Sequence, residues 1–114
     1  MILLIIRMNV ISDKRMELSQ TIASLSALIR MEKGCQRCDF CQSSEDGNRL
    51  FLIEEWDTRE NLMTHLKSDH CKVLRGAMNL LKEPYEMTFH TVSHLKGVPE
   101  ELKLFSLLIT DKKK

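Results

Sequence analysis

The chain has 114 residues, enough for one domain and too few for a comfortable second. Its 17 basic and 16 acidic residues leave a net charge of +1, which argues against a general nucleic-acid binder. No run approaches the ~20 apolar residues of a membrane span. The hydrophobic share of 43% permits an ordinary core, but a domain of this size buries only a modest part of its surface, so an apolar face left over favours pairing with a second copy.

Met1 to Ile6 is apolar but has neither the basic start nor the small-residue cleavage site of a signal peptide, and Arg7 interrupts it. The run Ile2–Ile11 therefore reads as a strand covered on both faces, and the expected location is cytoplasmic. Alternation places its polar members, Arg7 and Asn9, on the same face. Ser12 and Asp13 offer a helix cap. Leu18, Ile22, Leu25 and Ile29 then recur at helical spacing, and Gly34 supplies the stop.

Cys35–Ser43 reads as a second strand and Arg49–Trp56 as a third, joined by a polar turn carrying Asp46-Gly47. Asp57 and Glu60 have the spacing of a capping box for a second helix, with Leu62, Met63 and Leu66 on its inner side. Ser68-Asp69 marks a break. A third helical piece from about His70 to Lys82 turns Val73, Leu74, Ala77, Met78 and Leu81 inward, and Pro84 ends it. Tyr85–Val92 alternates as a fourth strand. Residues 1–93 thus form one domain of order β-α-β-β-α-β, an α+β, ferredoxin-like arrangement with helices on one face of a four-stranded antiparallel sheet. Because the strands are apolar on both faces, the uncovered face calls for a homodimer. Residues 94–114 read as an extension, with an apolar run at Leu102–Ile109 suited to a dimer-docking arm and a disordered, solvated tail at Lys112–Lys114.

Cys35, Cys38 and Cys41 have the C-x₂-C-x₂-C spacing of a metal motif. On a strand, however, residues three apart point to opposite faces and lie ~10 Å apart. That is too far for a disulfide or a shared metal ion, so no metal is expected and these cysteines, with Cys71, read as small buried hydrophobes.

Gly34-Cys35 at the start of the second strand, Phe51-Leu52-Ile53-Glu54-Glu55-Trp56 at the end of the third, and His65-Leu66-Lys67-Ser68-Asp69-His70 together resemble the antibiotic biosynthesis monooxygenase family. The resemblance runs from about Ile2 to Val92 and is most specific between Glu54 and His70. It implies a dimeric α/β barrel in which two sheets pack face to face. The family includes cofactor-free oxygenases of polyketide quinols, quinol monooxygenases, haem-degrading enzymes and enzymes that process a bacterial signalling molecule, so the fold alone does not fix the reaction.

The cofactor-free chemistry that the resemblance implies needs a dry pocket, a base and donors for an oxyanion, with the substrate as the reductant of O₂. His65, close to the apolar stripe of the second helix, is the candidate base; the bland alternative is a half-buried histidine bonded to a carbonyl. Asn9 resembles a site-lining asparagine of several members and is the candidate donor; the alternative is a residue that only bonds the following turn. Trp56, Arg75, Met78 and His70 are candidate substrate-binding residues, against core packing for Trp56, a surface ion pair for Arg75 and a helix cap for His70. His90 and His94 have no assigned role. The haem-degrading members carry an iron-ligating histidine where Arg75 stands and a tryptophan where His65 stands. Arginine stays protonated and ligates no iron, so both departures argue against haem and no cofactor is expected.

The expected function is cofactor-independent monooxygenation of a small quinol-like or aromatic compound by O₂. The alternatives are isomerase-type processing of a small carbonyl compound and a non-catalytic, stress-related dimer that binds a small ligand. Aromatic residues make up only 5% of the chain, which suits a substrate smaller than a polycycle.

Overall fold

The computed structural model describes residues 1–93. The expectations for the extension, the docking arm, the lysine tail and His94 lie outside the described residues. Strand β1 (Ile2–Asn9) follows the apolar N-terminal run. Its even members Leu4, Ile6 and Met8 are buried against the helices, while Leu3, Ile5, Arg7 and Asn9 alternate onto the other face. A single 3₁₀ turn, Ser12–Lys14, leads into helix α1 (Arg15–Ile29), which buries Leu18, Ile22, Leu25 and Ile29 as its spacing predicts. The expected cap does not form. Ser12 Oγ instead accepts from Asn48 Nδ2 at 2.8 Å, tying the start of α1 to the distant hairpin turn.

After α1 the chain reverses at Gly34, whose φ of 86° lies in the left-handed region that glycine tolerates. Strands β2 (Cys35–Gln42) and β3 (Arg49–Trp56) then pair antiparallel, with an irregularity between Cys35 and Arg37. Cys38 pairs with Glu54 and is buried on the helical side, whereas Cys41 pairs with Phe51 on the opposite side. Burial pushes the Cys38 thiol up to about 12, making it a poor nucleophile.

Helix α2 (Arg59–Leu66) starts one residue later than the capping-box spacing suggests. Thr58, in extended conformation, accepts from the Asn61 backbone N–H at 3.1 Å, and Asp57 binds the Asn61 side chain. Ser68 ends this helix and begins the next: its hydroxyl donates to the His65 carbonyl and accepts from the Cys71 backbone N–H. Helix α3 (Asp69–Ala77) runs into a 3₁₀ turn, Met78–Leu80, and β4 (Glu86–Thr91) follows. Met63 and Val73, expected inside, are 43% and 54% exposed. Each neighbours a buried leucine in sequence, and one residue on a helix is a turn of ~100° away from the core.

The sheet order is β2-β3-β1-β4, all antiparallel, which gives the ferredoxin-like fold. Leu4, Ile6, Met8, Leu50, Leu52 and Trp56 meet the helices across one core. The other face carries Leu3, Ile5, Phe51 and Ile53, with Ile5 directly opposite Ile53 and the Arg7 guanidinium 5.8 Å from the centre of the Phe51 ring. Among the described residues no helix covers it. No described helix is long and apolar enough to cross a membrane.

Candidate active site

The alternation that buries Leu50 and Leu52 also turns Glu54 and Trp56 into the core, and both are 0% exposed. An ionised carboxylate is not tolerated there without partners. Glu54 finds them on one oxygen: Oε1 accepts from Trp56 Nε1 at 2.9 Å and lies 3.2 Å from His65 Nε2. His65 comes from α2, one turn after Leu62, and is 1% exposed. Its ring stacks on Trp56, with centroids 4.6 Å apart and planes 24° from parallel. Its second nitrogen, Nδ1, faces Glu32 at 3.0 Å, and Glu32 stands in the turn just before Gly34.

Two carboxylates, one against each ring nitrogen, select the doubly protonated imidazolium, because an ionised carboxylate only accepts. Burial works against that charge, but hydrogen bonds and attraction from Glu54 and Glu32 outweigh it and hold the His65 pKa above its usual value. Glu54 Oε2 has no hydrogen-bond partner among the described residues.

Glu54 and His65 form the polar corner of a cavity of about 230 Å³ between sheet and helices. Its apolar walls include Leu4, Ile6, Leu74, Met78 and Met87. Arg75 also lines it, donating from Nη1 to the Leu66 carbonyl at 3.0 Å and to Cys71 Sγ at 3.3 Å. Among the described residues no carboxylate pairs with this guanidinium, so the surface ion pair does not form. A larger open groove of about 380 Å³ lies beside α2 and β4, but its ionisable residues, Arg59 and His90, are both exposed. The buried acid–base groups belong to the smaller cavity.

The fold brings His65, Trp56, Arg75, Met78 and His70 to one region and leaves Asn9 out. Trp56 stands behind the cavity, holding Glu54 and His65 in place. Met78 and Arg75 line the cavity. His70 Nδ1 reaches the outer side of Glu32 at 3.4 Å. Asn9 is five residues along β1 from Leu4, roughly 17 Å at strand rise, and on the opposite face. It donates to Glu83 Oε1 at 2.6 Å. It therefore does not share a cavity with His65 within the chain. His90 bonds the Thr88 hydroxyl, also away from the cavity.

Sequence reasoning passed over Glu54 and Glu32. Glu54 had a signal: with the core face of β3 reading Leu50, Leu52, Glu54, Trp56, a charge falls where a hydrophobe is due. Glu32 had none, since only the packing of the α1–β2 turn against α2 brings it to His65.

Similarity searches give a consistent picture. The family model described as antibiotic biosynthesis monooxygenase matches residues 1–76. A structure named "Putative antibiotic biosynthesis monooxygenase from Nitrosomonas europaea" superposes with a TM-score of 0.78 at 23% identity, over 82% of this chain and 100% of that one. Rv0793 from Mycobacterium tuberculosis superposes with a TM-score of 0.75 at 25% identity, over 82% of this chain and 96% of that one. A curated protein of Haloquadratum walsbyi named "Putative heme-binding protein" is 31% identical over 58 residues, 51% of this chain. The chain spans only 11% of that relative's length. Among the described residues His65 is the one imidazole on the cavity wall, and both its ring nitrogens face carboxylates, so neither is free for a haem iron. Fold and family model agree, and the chain belongs to the antibiotic biosynthesis monooxygenase family.

Proposed function

We propose that the 230 Å³ cavity is the active site of a cofactor-independent monooxygenase acting on a single-ring phenol or quinol. The observation that carries this reading is a buried histidine, clamped between two carboxylates, on the wall of a largely apolar cavity. Such a site takes a proton from a substrate hydroxyl. The resulting anion is electron-rich enough to reduce O₂ directly, and the apolar walls keep water from the intermediates. One oxygen atom ends in the product and the other in water, with all electrons drawn from the substrate. The volume lies below the ~300–1,000 Å³ of sites for drug-sized ligands, which supports one ring over a polycycle. Arg75 on the wall supplies a positive charge for the oxyanion.

The working unit in this reading is a homodimer that buries Leu3, Ile5, Phe51 and Ile53. It is supported by the apolar character of a sheet face that no described helix covers.

Oxygen uptake by the metal-free protein with a panel of small reduced quinols tests the reaction. Uptake above autoxidation is expected, with incorporation of label from ¹⁸O₂. His65→Ala and the more conservative His65→Gln should both lose it. Absence of uptake above the protein-free blank across the panel counts against oxygenation. The same acid–base corner would then be read as serving proton transfer on a carbonyl compound, or ligand binding alone.

A further inference from the structure

The unpartnered Oε2 of Glu54 and the second carboxylate, Glu32, have no part in a scheme in which His65 alone is the base. Both belong to one chain of contacts that ends at His70. From the cavity outward it runs Glu54 Oε1 to His65 Nε2 at 3.2 Å, His65 Nδ1 to Glu32 Oε2 at 3.0 Å, and Glu32 Oε2 to His70 Nδ1 at 3.4 Å. Exposure rises along it: the side chains of Glu54, His65, Glu32 and His70 are 0%, 1%, 18% and 37% accessible. The inner end lies on the cavity wall and the outer end reaches solvent.

We propose that Glu54, and not His65, accepts the proton of a substrate hydroxyl, and that Glu32 and His70 complete a relay that carries the displaced proton from His65 to solvent. The inference rests on reading the cavity as a site for phenols.

His65 cannot itself receive the proton, since both its nitrogens already face carboxylates. Glu54 Oε2 is the one buried side-chain acceptor on the cavity wall that lacks a partner among the described residues. In the proposed step the substrate O–H bond breaks as Glu54 Oε2–H forms. The His65 Nδ1–H bond breaks as an O–H bond forms on Glu32. His65 is left neutral, its remaining proton on Nε2 still donated to Glu54 Oε1. The charge of substrate, Glu54, His65 and Glu32 together is −1 before and −1 after. No net charge is therefore created in a medium where an added charge is costly. The phenolate takes the place of the Glu54 and Glu32 carboxylates and the His65 imidazolium as the one charged group of the four. Glu32 then passes its proton to His70 or water. Run in reverse, the same chain returns a proton when the second oxygen atom leaves as water.

The other groups around Glu54 do not compete for this role. Cys38 on β2 is held in the thiol form by burial, and burial also raises the Cys71 thiol on α3. The Arg75 guanidinium on α3 only donates hydrogen bonds and offers no acceptor. Trp56 on β3 only donates, and the Tyr85 hydroxyl on the far wall is a phenol itself.

The test uses the whole protein and 4-nitrophenol, a single-ring phenol whose ionised form absorbs visible light, at a pH below the free phenol's own pKa. Stopped-flow mixing follows phenolate absorbance and, with an indicator dye, proton release. In the wild type both signals should rise together. Glu54→Gln should bind the neutral phenol, with an ionisation constant at least about tenfold lower, one pKa unit. Glu32→Gln should still ionise the bound phenol but release the proton about tenfold more slowly, a loss of one order in rate, and added formate should restore the speed. Independently of any variant, ¹⁵N spectra of the wild type should show His65 losing its Nδ1 proton as the phenolate forms. Equal ionisation by Glu54→Gln, or a His65 that keeps its Nδ1 proton while phenolate accumulates, overturns the relay and leaves the phenol site standing. Failure of the wild type to bind the phenol at all overturns both.

Discussion

Glu54 and His65 are held together by mutual need. Each is fully inside, and each removes the charge penalty of the other. Deleting one partner of such a pair leaves an uncompensated buried charge, at a cost of about 3–5 kcal/mol, whereas replacing both with hydrophobes is often neutral. His65→Ala is therefore expected to lose about 3 kcal/mol in urea unfolding, and Glu54→Leu/His65→Leu to recover most of that. The pair also leaves a mark on pH. The folded pKa of His65 is raised above the ordinary 6.5, so its stabilising contribution is fully present below that value. It is lost as pH rises through the higher folded value. Wild-type stability should decline with pH across that window, and the decline should be absent in His65→Phe. Glu54 was legible in principle, as a charge in the core phase of an alternating strand. Its pairing with a histidine eleven residues on was not, because α2 must first fold back over β3.

At the scale of elements, the site depends on the turn between α1 and β2. Gly34 adopts a left-handed φ and its carbonyl accepts from the Asp57 backbone N–H at 2.9 Å, locking this turn to the entry of α2. A Cβ at Gly34 would meet Asp57 Oδ1 and come within 2.5 Å of the Asn61 side chain. Gly34→Ala adds about 1–2 kcal/mol of left-handed strain to that collision. The variant should melt at lower temperature. It should also blunt the pH dependence assigned to His65, because Glu32 lies only two residues from the disturbed position. A Thr58→Ala change at the other side of the same junction removes only a cap, worth about 1 kcal/mol, and should lower the melting temperature while leaving the pH profile in place. Comparing the two separates the stability of α2 from the placement of Glu32. The helix stop at Gly34 was readable from sequence. The displacement of the α2 cap to Thr58 was not, since Asp57 and Thr58 are both good caps and Asn61 settles the choice by engaging both.

At the scale of the molecule, the sheet has one face packed against the helices and one that no described helix covers. Leu3, Ile5, Phe51 and Ile53 on this second face form an apolar strip bordered by Arg7, Arg37 and Asp39, a hydrophobic centre with a charged rim. Light scattering after size exclusion is expected to give twice the chain mass. Ile5→Glu, which puts a charge beside Ile53 in the middle of the strip, should give the monomer mass with the far-ultraviolet spectrum unchanged. A wild-type chain that runs as a monomer at micromolar concentration would remove the dimer reading.

The sequence by itself determined the order of elements, the face each strand turns to the core, and the family. These follow from the two- and 3.6-residue periods and from short motifs, which are local properties of the chain. It also pointed to His65, because a histidine one turn from Leu62 on a buried stripe is visible in one dimension. Only the tertiary structure decided that Glu32 and Glu54 flank that histidine, that Trp56 stands behind it, and that Asn9 faces the other way at the far end of the sheet. Those relations join the α1–β2 turn, β3 and α2, and they exist only once the helices have packed onto the sheet. The chemistry of a buried acid–base chain depends on distances of about 3 Å, which no spacing in the sequence encodes.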